Sequence, residues 1–437
     1  MKARRVAHGI GQPAVRKGYA CCMSVPRVVI IGAGFGGLEC AKKLAGRAVQ
    51  VRIIDRNNYH LFTPLLYQVA SSLLNPGDIA RPVRAIFRGS GNVRFTQAEV
   101  VGVDLERQVV KTTDLPDIPY DFLVVAAGST TNFFGMSAVA ERALGLKDLS
   151  EALELRNHIL RCLEAAATKA PDEAGPWLTF AIVGGGPTGV EYAGALSELV
   201  RILLPGEYPE LAHQKIRILL LEGMDELLPP FPSGLGAKAR LELQQKGVEV
   251  RTGVRVTSAD DEGVQLSNGE FVATRTLIWS AGVRPADLAT ALDVGVSRTG
   301  RIEVDRFMRI RGQDGAFAIG DIASVPRGEK EIPMLSAPAM QEGRVVAENI
   351  LRTVQGKPLR AFRYRDRGSM ATVGKGVAVA SIGPIQMAGF PGWIAWLAVH
   401  LYYIIGFRNR FVVLSGWAWN YLRSDRPVRI ITRARGR

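Results

Sequence analysis

A chain of 437 residues, 47% hydrophobic and 22% charged, can build two or three packed domains and is not a disordered polymer. Its four cysteines, Cys21, Cys22, Cys40 and Cys162, have neither metal-ligand spacing nor a disulfide framework, and five scattered histidines add no structural metal site. The net charge of +14 sits at the ends, with +6 in residues 1–27 and +7 in residues 408–437, leaving +1 between them. That placement argues against a nucleic-acid groove and for an anionic membrane surface.

In chain order, residues 1–26 read as a disordered basic tail. No apolar stretch of signal-peptide length precedes Pro26, and Met23 is a second candidate start. "RVVIIGAGFGGLECAKKLAG" then reads as strand, glycine turn and helix, and "VQVRIID" as a strand ending at Asp55. A buried strand follows at 120–129 and a helix at about 149–168. "LTFAIVGGGPTGVEYAGALSELV" repeats strand, turn and helix, "KIRILLLEG" supplies the next strand, and "LLPGEYPELAHQ" between them reads as helix extension and loop. "RTLIWSAGV" and "AFAIGDIAS" are two further strands. Alternating strands and helices predict parallel, doubly wound sheets, and two such series predict two nucleotide-binding lobes. "SMATVGKGVAVASIG" alternates like antiparallel strand, and 388–422 is the most apolar and aromatic part of the chain.

Gly32, Gly34 and Gly37 form G-x-G-x-x-G, with Asp55 where a ribose-binding acid belongs. Gly184, Gly186 and Gly189 repeat the motif, with Glu222 after the following strand. An acid there accepts from a ribose 2′-OH and repels a 2′-phosphate, which favours NADH over NADPH. Two such sites in one chain suit a resident flavin and a visiting nicotinamide nucleotide.

"RNNYHLFTPLLYQVAS" (56–71), "AIGDIA" and "GFRNRFVVLSGWAWNYL" (406–422) then resemble segments of the type II NADH dehydrogenases, single-subunit, membrane-associated NADH:quinone oxidoreductases. The resemblance covers about residues 27–432. It implies an α/β fold of two Rossmann-like domains, an FAD domain with an inserted NADH domain, plus a C-terminal membrane-associating helical segment. The implied boundaries are 27–150 and 281–358 for FAD, 151–280 for NADH, and 359–437 for the strand region and amphipathic helices. By resemblance, Gly32, Gly34, Gly36, Gly37, Asp55, Gly128, Gly320 and Asp321 hold FAD, and Gly184, Gly186, Gly189 and Glu222 hold NADH. Pro64 passes close to the isoalloxazine, and Glu191 lies near the nicotinamide. The quinone-side helix of the family often reads A-Q-x-A-x-Q, where this chain has "SAPAMQ". Gln341 keeps the second glutamine and Ala337 replaces the first. Either Gln341 with apolar neighbours suffices, or the preferred quinone differs. Lys375 is a weaker candidate for the same wall.

The tail is too interrupted for a bilayer span, by Pro391, two glycines, His400, Arg408 and Arg410. It reads as two helices lying in the interface, placing the protein peripherally on the cytoplasmic face of the inner or cytoplasmic membrane. Dimerisation to a homodimer is compatible with this. Deleting 386–437 is expected to release the protein from membranes yet leave NADH-to-dye activity. Without a bundle of spans there is no proton channel, so the expected activity is electron transfer from NADH through FAD to quinone without pumping. The alternatives are a sulfide:quinone-type or ferredoxin-type reductase, or a non-catalytic redox-sensing flavin-binding protein.

Overall fold

The computed structural model describes residues 25–423, 426 and 428–432. Residues 1–24 of the basic tail, with Cys21, Cys22 and Met23, therefore lie outside the described residues.

The strands of the two sheets, in chain order, are β1 (Arg27–Ile31), β2 (Gln50–Asp55), β3 (Val93–Gln97), β4 (Phe122–Val125), β5 (Leu144–Gly145), β6 (Thr179–Val183), β7 (Arg217–Leu221), β8 (Val248–Arg251), β9 (Thr276–Trp279) and β10 (Ala316–Ala318). The first sheet runs β10-β4-β1-β2-β3 and the second β5-β9-β6-β7-β8, every pair parallel. Each glycine turn follows a central strand whose residues are aliphatic because both faces are buried. The main helices are α1 (Phe35–Leu44), α2 (Leu149–Ala167), α3 (Pro187–Glu207), α4 (Ser336–Val354), α5 (Phe390–Tyr403) and α6 (Phe407–Arg423). α2 begins where Asp148 and Glu151 form a capping box, which fixes its start at Leu149. The "LLPGEYPELAHQ" stretch is indeed helix extension to Glu207, then a 3-10 turn at Pro209–Leu211.

The repeat goes deeper than the motifs. A three-stranded antiparallel layer is inserted into each series, within residues 100–119 before β4 of the first sheet and 256–273 before β9 of the second. These short strands carry too little hydrophobic pattern to be read from the sequence. Ser129–Thr131 and Val283–Pro285 pair antiparallel at the two crossings between the sheets. The antiparallel expectation for 369–383 holds, with a third strand at Ile385–Gly389.

The tail departs from a detachable anchor. Trp396 of α5 and Val413 and Trp417 of α6 belong to a core shared with the 62–79 segment, α2 and α3. Trp417 Nε1 donates to Gln68 Oε1 at 2.8 Å, and Asn409 Nδ2 donates to the Asp78 carbonyl at 3.0 Å. Arg426 is 1% exposed and pairs with Glu198 at 3.0 Å. Removing 386–437 would open this core, so such a truncation is expected to cost dye activity as well as membrane binding. What the tail leaves to solvent is one aromatic face, with Phe390, Tyr402, Phe407, Phe411, Trp419 and Leu422 all exposed. Among the described residues no helix is long and apolar enough to cross a membrane.

Candidate active site

The two glycine turns share one geometry. Gly32 N donates to Ile54 O and Gly184 N to Leu221 O, each at 2.8 Å, which docks each turn on the neighbouring strand. Gly32 and Gly184 have φ of +104° and +110°, a region that side chains avoid. A Cβ on Gly37 would overlap the Gly32 carbonyl oxygen, and one on Gly189 the Gly184 carbonyl oxygen. Those glycines are demanded by the protein's own packing. The middle ones are not. A Cβ on Gly34 or Gly186 would meet nothing within 4 Å. What such a side chain would displace is a ligand lying against the backbone, as a dinucleotide pyrophosphate does.

The acids repeat as well. Ala33 N donates to Asp55 Oδ2 and Asn57 N to Oδ1, each at 2.7 Å. Gly185 N donates to Glu222 Oε2 at 2.5 Å and Met224 N to Oε1 at 2.8 Å. Each carboxylate thus ties its glycine turn to the residue two positions on. Burial raises the Asp55 carboxyl above the usual carboxylate range, against the pull of its two backbone donors.

A cavity of about 1290 Å³ gathers Gly32, Gly34, Gly36, Asp55, Pro64, Gly128, Glu191, Gly320, Asp321 and Ala337. Its volume and its glycine lining fit FAD. Ser129 Oγ donates to Asp321, and Lys147 Nζ stands 3.7 Å from the same carboxylate. Gly320 N donates to the buried Glu342 at 2.6 Å, and burial pushes that carboxyl up to about 7. Lys147 and Glu342 carry no motif, and only the folded chain brings them to Asp321. Gly184, Gly186, Gly189 and Glu222 lie outside this cavity, in the turn and helix start after β6 and just beyond β7. Pro187, Thr188 and Glu191 of α3 join the two regions, because they follow the second turn and line the cavity.

Glu191 is 8% exposed, not the solvent-facing helix residue its neighbours would allow. Burial pushes its carboxyl up to about 8, opposed by the Thr372 N–H at 3.3 Å and the Trp396 indole. It is therefore largely protonated at neutral pH. Its folded value lies above its unfolded one, so its contribution to stability is full below about pH 4.5 and is lost as pH rises through about 8. Glu191→Gln is expected to hold more stability between pH 5 and 8 than the parent, by on the order of 2 kcal/mol, in denaturation midpoints measured across that range. An unchanged slope would contradict this.

Two candidates fall elsewhere. Gln341 does not line the cavity. Its Oε1 accepts from Arg365 N and its Nε2 donates to Arg365 O, both at 3.0 Å, so its amide clamps the 365 backbone. Lys375 Nζ donates to the Tyr421 carbonyl at 2.7 Å and lies over the Tyr421 ring, on the α6 side. The cavity wall at that end is instead Ala337 and Met340 of α4 with Val399, His400 and Tyr403 of α5. The His400 ring stacks on Trp396 at 4.0 Å, its Nδ1 lies 2.7 Å from the Trp396 carbonyl, and burial lowers its pKa to about 4. In the sequence His400 only interrupted an apolar run, and reading the tail as a separate anchor hid its place in this wall.

The profile of the pyridine nucleotide-disulphide oxidoreductases matches residues 26–343. The type II NADH:quinone oxidoreductase Ndh of Mycobacterium tuberculosis is 39% identical over 421 residues, covering 93% of this chain and 90% of that protein. The chain belongs to the type II NADH:quinone oxidoreductases. Another member, from Staphylococcus aureus, is 30% identical, with 83% of this chain and 91% of that protein covered. The structure of NDH2 from Plasmodium falciparum in complex with NADH superposes with a TM-score of 0.86 at 20% identity, over 94% of this chain and 100% of that one, a likeness of fold. A type II NADH:quinone oxidoreductase accounts for two glycine turns of equal geometry beside one long cavity. Among the described residues the cysteines are the free, buried Cys40 and Cys162, and neither lines the cavity, so a sulfide-oxidising reading finds no thiol there.

Proposed function

We propose that this chain oxidises NADH and reduces a membrane quinone through a resident FAD, without pumping protons. The carrying observation is the single cavity running from the first glycine turn, past Glu191, to a wall built from the tail helix α5. Bound FAD would supply the two-electron relay between nicotinamide and quinone. Gly32, Gly34, Gly36, Gly37 and Gly128 would shape its bed, Asp55 would hold its ribose, and Gly320 and Asp321 would hold its ribityl end. Gly184, Gly186 and Gly189 bed the visiting NADH, with Glu222 at its adenosine ribose. The balanced reaction, NADH plus a proton plus quinone to NAD⁺ and quinol, consumes one proton from outside the nucleotide. Glu191 holds a proton on the cavity wall at neutral pH and is the group we assign to supply it. Pro64 and Ala337 form apolar wall, and Gln341 supports that wall from behind through the 365 segment. We assign residues 27–150 and 281–358 to the FAD domain, 151–280 to the NADH domain and 359–437 to the tail region.

The exposed aromatic face of α5 and α6 is the surface we assign to an anionic membrane, on the cytoplasmic side. Its aromatics suit headgroup depth, and Arg408, Arg410 and Arg423 lie on the same helix. The side chains of that face are exposed and carry little of the fold. The triple variant Phe407→Glu, Phe411→Glu, Leu422→Glu is expected to stay folded and keep NADH-to-dye turnover. It should lose at least about tenfold in vesicle binding, from the apolar area and charge involved, and reduce membrane-embedded quinone correspondingly slowly. Co-sedimentation with anionic vesicles at the parent level would contradict the assignment. A homodimer is compatible with this face being engaged by lipid.

A further inference from the structure

The second glycine turn carries a cation that its motif does not require. Backbone bonds lace the 222–224 turn to residues 253–255: Val254 N donates to Glu222 O at 3.0 Å and Gly253 N to Met224 O at 2.9 Å. Arg255 is pinned in turn, its N–H donating to Ser267 Oγ at 3.0 Å and its carbonyl accepting from Ser267 N at 2.8 Å. Its side chain lies flat over Gly223, where a Cβ would stand 3.0 Å from Arg255 Cγ and 3.2 Å from its Nε. That contact puts the guanidinium beside the residue that follows Glu222.

Among the described residues this guanidinium has no carboxylate or hydrogen-bond partner. Each Glu222 oxygen already accepts one backbone N–H, from Gly185 and from Met224. Arg251, the other nearby cation, is already paired with Glu249 and Glu270. Asp225 stands on the other side of this turn, its Oδ1 3.6 Å from where a Cβ on Gly253 would be. An acid at this point faces the adenosine 2′ position and by itself disfavours a 2′-phosphate. Here two backbone donors partly balance that acid, and an unpaired guanidinium of fixed backbone position stands next to it. Such a group pairs with phosphate oxygens through charge-assisted bonds.

We propose that Arg255 pairs with the 2′-phosphate of NADPH and makes NADPH a second substrate of this site. The inference rests on the second turn being the nicotinamide nucleotide site. The reaction balances as before, with NADPH, a proton and quinone giving NADP⁺ and quinol. Arg255 is a specificity residue, distant from the reacting atoms.

The test is a double-mutant cycle on the full-length, flavin-loaded protein in detergent. kcat/KM is measured for NADH and NADPH with a soluble quinone, in the parent, Glu222→Gln, Arg255→Ala and the double variant. The NADPH-to-NADH ratio of kcat/KM is expected to rise about tenfold in Glu222→Gln and to fall about tenfold in Arg255→Ala, the scale of one charge-assisted pair. The Glu222→Gln gain should be lost in the double variant. A binding arm uses 2′,5′-ADP and 5′-AMP in calorimetry, and Arg255→Ala should weaken the first about tenfold relative to the second. A ratio that Arg255→Ala leaves unmoved, or a Glu222→Gln gain that survives it, overturns the proposal. Absence of NADH turnover in the parent overturns the site assignment beneath it, and the proposal with it.

Discussion

Replacing Gly34 by leucine is expected to give a folded protein that purifies with less than about a tenth of the parent's flavin, a loss of affinity of roughly 100-fold or about 2.7 kcal/mol. The backbone at Gly34 has φ −68° and ψ −168°, extended geometry that leucine adopts without strain. Its Cβ would meet nothing within 4 Å, so the fold does not oppose it. The side chain would instead occupy the space over the N-terminus of α1, where a pyrophosphate uses backbone N–H groups and the helix dipole. Gly37→Ala is the contrasting variant. Its Cβ would overlap the Gly32 carbonyl oxygen, and the turn itself should fail. Flavin absorbance per protein, read beside far-UV circular dichroism, separates the two. A Gly34→Leu protein with full flavin would show that nothing lies against this turn.

The second large effect is at Glu198. This α3 carboxylate accepts from Lys246 Nζ at 3.0 Å, from Lys375 N at 2.5 Å and from Arg426 Nη2 at 3.0 Å. Glu198→Ala leaves Arg426, 1% exposed, without its counter-charge. Burial already pulls the Arg426 pKa down, and Glu198 is first among the groups that oppose it. Stranding one partner of a buried pair costs about 3–5 kcal/mol, and this variant is expected near the lower figure because Arg426 also reaches Ser71 O and Oγ. The loss should appear as a lowered denaturation midpoint. Glu198→Leu with Arg426→Met, which removes both charges, should recover most of it. Equal destabilisation by the single and double variants would show that the site matters for packing and not for charge. The same pair explains why the tail is no separate module: Arg426 reaches back from beyond α6 to α3, and Thr432 N meets Asn157 Oδ1 of α2 at 3.3 Å.

Much of this was legible in the sequence. Both glycine turns, Asp55, Glu222 and Asp321 sit where strand, turn and helix periodicity put them, because local chain geometry alone fixes those positions. The helix expected at about 149–168 runs from Leu149 to Ala167, its start fixed by the Asp148–Glu151 capping box that the structure shows. Residues whose place depends on tertiary packing were not. Glu191 is placed near the nicotinamide by resemblance alone, and its burial follows from the approach of Thr372 and Trp396. Gln341 carried a family pattern but faces the 365 backbone. His400 and Tyr403 enter the cavity wall only because α5 folds back on the first domain's 62–79 segment, a contact between residues more than 300 positions apart. The aromatic tail's apolar excess reads first as an interfacial face, with a buried core or dimer contact as the alternative, and the tail has both sides: Trp396, Val413 and Trp417 are core while Phe407, Phe411 and Trp419 are exposed.

The central claim is that one cavity passes electrons from NADH to quinone through FAD. Anaerobic mixing of the purified protein with NADH, followed by a soluble quinone, tests it in a single optical trace. NADH should bleach the visible flavin band, and quinone should then restore it with stoichiometric quinol. Bleaching that quinone does not reverse would contradict it.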